Sequence, residues 1–301
     1  AASWMLVRKQ YFAKRSVATV FIMSVGLGAA LPAQHNTATS IDTPSARYTI
    51  TDSLYPDNGT YRPVRLLLAG GSAAQSGMYS DDPDELVFGY TRKMAELVER
   101  APRKDTVLIL GGGAFTMPRH LAAHYPMSQI DVVEIDPELA TIAEQYFEYT
   151  HPPNVRIIPQ DARAFLNTNT KEYDVVLIDV YNELSIPFSL STVEYAAALK
   201  RAVKPGGFAA VNIIGSEAPA CKDVLESIHG SYIRQFRYHK AYPSRKNMQQ
   251  SQNIISVYGQ RPMPWLPGKS ALSLTPSKHY ALTDNFAPVE RLKQQCQSAS
   301  H

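Results

Sequence analysis

The sequence predicts an α/β protein: a Rossmann-like doubly wound sheet with a small N-terminal β-domain. Three observations carry that expectation. Short apolar runs rich in β-branched residues alternate with helical patterns: Val107 to Leu110, Ile130 to Ile135, Val155 to Ile158, Val175 to Ile178 and Phe208 to Ile214. Three consecutive glycines, Gly111, Gly112 and Gly113, follow the first run directly. Acids stand just beyond or at the ends of the next three runs: Glu134, Asp161 and Asp179.

The chain has 301 residues, of which 45% are apolar, enough for a well-buried core. The formal net charge is +3, and lysine and arginine cluster only near the N-terminus, so nucleic-acid binding is not expected. The two cysteines, Cys221 and Cys296, have no C-x-x-C spacing, which argues against a zinc or redox motif, and no metal site is expected. An exported chain lets them form one disulfide; otherwise they are ordinary thiols.

Taken in order, residues 1–33 read as a signal peptide or membrane anchor. Arg8, Lys9, Lys14 and Arg15 precede the apolar run Val17 to Leu31. That run is short for a spanning helix, which needs about 20 residues, but suits a signal core with Ala33 as a cleavage position. No lysine or arginine follows until Arg47, which places the remainder outside the cytoplasm as a membrane-anchored or exported, periplasmic domain. Residues 34–46 read as a polar linker. Residues 47–95 form the β-rich module, with strands at Tyr48-Thr49-Ile50 and Val64 to Leu68 around the turn Pro56-Asp57-Asn58-Gly59. Gln75 follows a second turn, and a helical pattern spans Leu86 to Glu99.

Residues 96–260 carry the main sheet. Helices are expected at Met117 to Tyr125, Pro137 to Phe147, Ser191 to Ala202 and Ala218 to His229, with Lys204-Pro205-Gly206-Gly207 as a turn and last strands near Ile233–Tyr238 and Ile254–Tyr258. Residues 261–301 form a proline-rich, largely irregular tail.

The central unit carries the chemistry. Glycine lets the backbone turn sharply and lets a ligand approach the main chain. Glu134 ends the second strand about 20 residues past the glycines, where an acid holds a ribose diol. The glycines are not spaced G-x-G-x-x-G, so a nucleoside without a pyrophosphate fits better. Glu134 is suited to accept both ribose hydroxyls and Asp161 the exocyclic amine of an adenine, with Asp179 beside the reactive group. All three stand at the carboxyl ends of parallel strands, which converge on one crevice.

These residues carry a resemblance. Gly111 to Gly113, Val133-Glu134-Ile135-Asp136, Asp161-Ala162-Arg163, Tyr173 to Asp179, Ser185-Ile186-Pro187, Leu190 to Tyr195 and Leu282 to Glu290 are similar to the spermidine synthase (polyamine aminopropyltransferase) family. The likeness runs from about Tyr48 to Tyr258 and resembles most the branch fused to membrane transporter-like domains. Methyltransferases share the glycines and the first acid, so the methyltransferase-type form of the sheet is expected. The resemblance implies decarboxylated S-adenosylmethionine as co-substrate, methylthioadenosine as by-product, a small-molecule amine as acceptor and no permanently bound cofactor. It implies that Gln75, Gly111, Gly112, Gly113, Glu134, Asp161 and Ala162 bind the nucleoside. It implies Asp179 as the acid that helps deprotonate the amine; Tyr181, two residues on, is the candidate to aid positioning. A homodimer is an open expectation for the assembly.

The chain also departs from the family pattern. Ala114 stands where an aspartate follows the glycines, and Asn182 replaces a second aspartate. The Tyr-His pair of the first helix is replaced by Phe88-Gly89 or Tyr90-Thr91. The expected reading is therefore an intact nucleoside half and an eroded polyamine half. Two further function classes stand beside aminopropyl transfer: a methyltransferase using S-adenosylmethionine itself, and a non-catalytic nucleoside-binding relative. A cytoplasmic-facing domain stays open, because the nucleoside donor is a cytosolic metabolite.

Overall fold

The computed structural model describes residues 38–70, 73–181, 186–268, 272, 282–288 and 291–292. The expected targeting segment, Asn182 and Cys296 lie outside the described residues.

The described residues begin with an antiparallel four-stranded sheet, β1 (Thr39–Asp42), β2 (Arg47–Asp57), β3 (Thr60–Ala69) and β4 (Ala73–Tyr79), in that spatial order. Asn58 and Gly59 connect β2 to β3 with φ of 47° and 85°, the positive-φ pair that a two-residue hairpin turn requires. The segment expected as linker contributes β1, whose Thr39 to Asp42 pair with Ile50 to Arg47. With one apolar residue in four, Ile41, the strand shows no apolar alternation, so only the unpaired edge of β2 reveals it. Thr43 then closes the turn by accepting from Ser45 and Ala46 N–H, and its hydroxyl donates to Asp136 at 2.5 Å. That bond ties the small sheet to the large one.

Helix α1 (Gly89–Arg100) leads into β5 (Thr106–Leu110). There follow α2 (Thr116–His124), β6 (Gln129–Glu134), α3 (Glu138–Tyr146), β7 (Val155–Pro159), α4 (Ala162–Thr168), β8 (Tyr173–Ile178), α5 (Val193–Ala202), β9 (Val203–Gly215), α6 (Pro219–Ile233), β10 (Tyr238–Pro243) and β11 (Gln252–Gly259). The seven-stranded sheet has the order β10-β11-β9-β8-β5-β6-β7. The five strands from β5 to β9 are parallel, while β11 runs antiparallel to both β9 and β10. The chain moves outward from β5 to β7, then crosses to β8 and moves the other way. A crevice therefore opens between the carboxyl ends of β5 and β8.

Strand periodicity divides the core in two. Val107 and Ile109 of β5 pack with Met94, Leu97, Leu121 and Ile142 on one face, whereas Leu108 and Leu110 pack with Phe165, Leu199 and Leu225 on the other. The continuous apolar run of β5 is the mark of a strand buried on both sides.

Two boundaries differ from expectation. The Lys204 to Gly207 stretch, expected as a turn, belongs to β9 and passes β8 through a shifted register between Tyr173 and Val175. A Cβ on Gly207 would lie 2.5 Å from the Asp174 carbonyl oxygen, so glycine permits the close passage. The strand expected from Ile233 begins only at Tyr238, because α6 runs on to Ile233. Tyr232 anchors that last turn: it is fully buried, stacks on Tyr258 and donates its hydroxyl to the Leu190 carbonyl at 2.6 Å.

Residues 282–288 dock on the start of α5. Val193 N–H donates to Leu282, Thr192 and Arg163 hold the Asp284 carboxylate at 2.7 and 2.5 Å, and Asp284 N–H donates to Glu194. Cys221, in the first turn of α6, is disulfide-bonded.

Candidate active site

A cavity of about 620 Å³ occupies the crevice at the ends of β5 and β8. Every residue singled out from the sequence lines it: Gln75, Gly111, Gly112, Gly113, Glu134, Asp161, Ala162, Asp179 and Tyr181. The volume lies within the range of small-molecule pockets, and the small sheet supplies one wall through Tyr48, Tyr55, Gln75 and Ser76.

The glycine turn is shaped by what surrounds it. Gly111 has φ of +94°, and a Cβ there would meet the Asp179 carbonyl oxygen at 2.3 Å. Gly113 has φ of +52°, and a Cβ there would meet Ser76 Oγ at 2.5 Å. Both the backbone angle and the crowding therefore demand glycine. Ser76 accepts from the N–H of Ala114 at 3.0 Å, so β4 holds the turn in place. Ala114 itself is 1% exposed and brings no carboxylate to the site.

Glu134 ends β6 and faces the turn. One carboxylate oxygen accepts from Gly112 N–H at 2.7 Å and Gly113 N–H at 3.4 Å, and the other accepts from Asp136 N–H at 2.9 Å. Burial pushes its carboxyl above the ordinary carboxylate range, the Asp136 charge adds to this, and the three backbone donors oppose it. A carboxylate fixed by main-chain donors keeps its remaining lone pairs aimed at a ligand, which suits a vicinal diol.

Asp161 is the N-cap of α4: one carboxylate oxygen accepts from Ala164 N–H at 2.8 Å. Its other oxygen has no partner among the described residues, and the side chain is exposed at the cavity edge. The cap and a ligand contact are compatible, since they use different oxygens. Gln75, on β4, is partly buried, and its amide has no hydrogen bond among the described residues.

Asp179 follows β8 and is partly buried. It accepts from the Asn212 side-chain amide at 2.9 Å and is hydrogen-bonded to the Tyr90 hydroxyl. Asn253 donates to the Asn212 side-chain oxygen at 3.1 Å, which fixes the amide with its NH₂ toward Asp179. Burial raises the proton affinity of Asp179, and the Asn212 and Tyr90 bonds lower it in part. The result is a stronger base than an ordinary carboxylate, held in one orientation. Tyr181 also lines the cavity, but its hydroxyl donates to the Asn212 backbone carbonyl. Burial and the Asp179 charge raise its phenol well above the usual value, so it stays protonated and acts by holding the loop against β9.

Beside Asp179 stands an aromatic wall. Phe88 stacks on Tyr90 at 5.8 Å between ring centres and meets Tyr55 edge-on at 5.7 Å. Tyr90, Asn212 and Ser76 are functional candidates that the sequence reading did not select. Asn212 had a signal, being the only polar residue within the apolar run Phe208 to Ile214. Ser76 had only its place next to Gln75, and Tyr90 had only its alignment with the replaced Tyr-His pair.

The geometry joins a glycine turn, a carboxylate fixed by main-chain donors, a second carboxylate with a free oxygen and a third held by Asn212. The chain is similar to known proteins. The spermine/spermidine synthase domain matches residues 87–237, about half of the chain. A polyamine aminopropyltransferase from Vibrio vulnificus is 31% identical over 169 residues, 53% of this chain and 56% of that protein. An N-terminal histidine N-methyltransferase from Emericella nidulans is 34% identical over 146 residues, 44% of this chain and 25% of that protein. Among solved structures, a probable spermidine synthase from Corynebacterium glutamicum superimposes with a TM-score of 0.62 at 26% identity, covering 74% of this chain and 80% of that one. The matched region spans 30%, 56% and 58% of three of the aminopropyltransferase relatives, so the likeness concerns the sheet and its site more than whole proteins. With the match covering half the chain and its residues building the cavity, the chain belongs to the spermine/spermidine synthase domain family.

Proposed function

We propose that this protein transfers an aminopropyl group from decarboxylated S-adenosylmethionine to an amine and releases methylthioadenosine. The observation that carries the reading is the convergence of Glu134, Asp161 and Asp179 with the glycine turn on one cavity. Glu134 holds the ribose and Asp161 the adenine, with Gln75, Gly111 to Gly113 and Ala162 shaping the nucleoside half. The amine nitrogen attacks the carbon next to the sulfonium as the C–S bond breaks. Its electron pair stays on sulfur, which leaves as a neutral thioether. Asp179 takes the proton that the amine must lose. Tyr90 and Asn212 orient that carboxylate, and much of the acceleration comes from alignment of the two reactants.

The polyamine half of the site is eroded in this reading. Ala114 offers no carboxylate, and Asn182, outside the described residues, replaces a second acid. Incubation with decarboxylated S-adenosylmethionine and a panel of amines tests the proposal. Methylthioadenosine release is expected, with Asp179→Asn lowering it about 10²–10⁴-fold. Release no greater than in that variant rejects the assignment.

A second reading, methyl transfer from S-adenosylmethionine, is favoured by the histidine N-methyltransferase relative. Tighter binding of the carboxylated nucleoside than of the decarboxylated one would select it. An exported or membrane-anchored placement is supported by the N-terminal apolar run and by the disulfide at Cys221, since such bonds persist in oxidising compartments. The cytosolic donor argues for a domain facing the cytoplasm, and protease accessibility in fractionated cells separates the two. Among the described residues, no helix is long and apolar enough to cross a membrane.

A further inference from the structure

The charges that line the cavity are unequally placed. Glu134 and Asp161 belong to the nucleoside half, which leaves Asp179 as the carboxylate facing the aromatic wall among the described residues. Among the described residues the same lining contains one cationic side chain, Arg245, in the loop between β10 and β11. Its backbone is pinned: Arg245 N–H donates to the side-chain oxygen of Gln252 at 2.5 Å, and Ser244 N–H donates to the Asn253 carbonyl at 2.9 Å. Gln252 is 5% exposed, so the anchor is buried although the arginine side chain is exposed. No carboxylate among the described residues pairs with Arg245. Its charge reaches Tyr55, whose phenol burial raises and Arg92 and Arg245 pull back down. Arg245 therefore lies beside the aromatic wall, in the Asp179 half of the cavity.

A diamine carries two ammonium groups. Asp179 serves the reacting one, and the far one would meet a guanidinium instead of a carboxylate. Like charges in a partly desolvated pocket repel, and an unpaired ammonium loses its hydration. An acceptor with a carboxylate at its far end reverses both terms, because guanidinium binds carboxylate through two parallel hydrogen bonds.

We propose that Arg245 selects an amine that also bears a carboxylate, an amino acid in place of a diamine, as the acceptor. This rests on the aminopropyl-transfer reading but is tested by binding. Calorimetry on methylthioadenosine-loaded protein compares a five-carbon α,ω-diamine with the ω-amino acid of equal chain length. The amino acid is expected to bind about tenfold more tightly. Arg245→Gln is expected to remove the preference and Arg245→Glu to invert it, and the substituted side chain is exposed, so folding is not at stake. Equal or tighter diamine binding by the wild type, no binding of either amine, or an unchanged preference in Arg245→Glu overturns the proposal. Methylthioadenosine release is followed in parallel with decarboxylated S-adenosylmethionine. Its absence with every amine rejects the transfer reaction, while the binding preference is judged separately.

Discussion

Replacing Glu134 by glutamine removes one charge and keeps the shape. The side-chain carbonyl can accept from Gly112 N–H, but the NH₂ then faces the Asp136 N–H, now 2.9 Å from the second oxygen. That oxygen also loses its ability to accept from a ribose hydroxyl. A hydrogen bond to a charged group contributes about 1.5–3 kcal/mol, so methylthioadenosine binding should weaken roughly 10- to 150-fold at about 1.4 kcal/mol per tenfold. Calorimetry with methylthioadenosine and its 2′-deoxy analogue forms a double-mutant cycle. The variant's loss should shrink for the deoxy compound, since both changes delete one contact. Full additivity would refute the ribose assignment. Stability supplies an independent sign. The folded carboxyl has a raised proton affinity, so the native state binds more protons than the unfolded chain in the window above the ordinary glutamate value. Stability due to Glu134 is therefore present below that window and lost as pH rises through it. Thermal melts should show Glu134→Gln gaining on the wild type as pH rises from the acid side toward neutrality.

Two further substitutions separate structure from function. Asp161→Ala should lose about 0.5–2 kcal/mol of stability by uncapping α4 and also weaken adenosine binding. Asp161→Asn should restore the cap but not the binding, because its amide nitrogen replaces the free oxygen; chemical denaturation and calorimetry read the two effects. Asn212→Ala removes a hydrogen bond that holds the Asp179 proton affinity down. The acid limb of the kcat/KM profile should move to higher pH, and an unmoved limb would deny Asp179 the role of base.

The apolar runs, the three glycines and the acids past the strand ends were legible because each follows from local chemistry. Strand period, backbone freedom and the buried β5 stripe need no knowledge of distant residues. β1 was not legible, since a single apolar residue, Ile41, sets no strand period and the pairing comes from the edge of β2. The extension of α6 to Ile233 was hidden for a similar reason: Tyr232 is held by Leu190 and Tyr258, which are remote in the chain.

By itself the sequence determined the alternating α/β order, the hairpin at Asn58-Gly59 and the set of acids at the strand ends. Only tertiary structure decided that Ser76 and Tyr55 of the small sheet meet the glycine turn and the aromatic wall, that Asn212 and Tyr90 aim Asp179, and that Arg245 joins the same cavity. Those relations depend on how a sheet twists and where its order reverses, and long-range packing sets both.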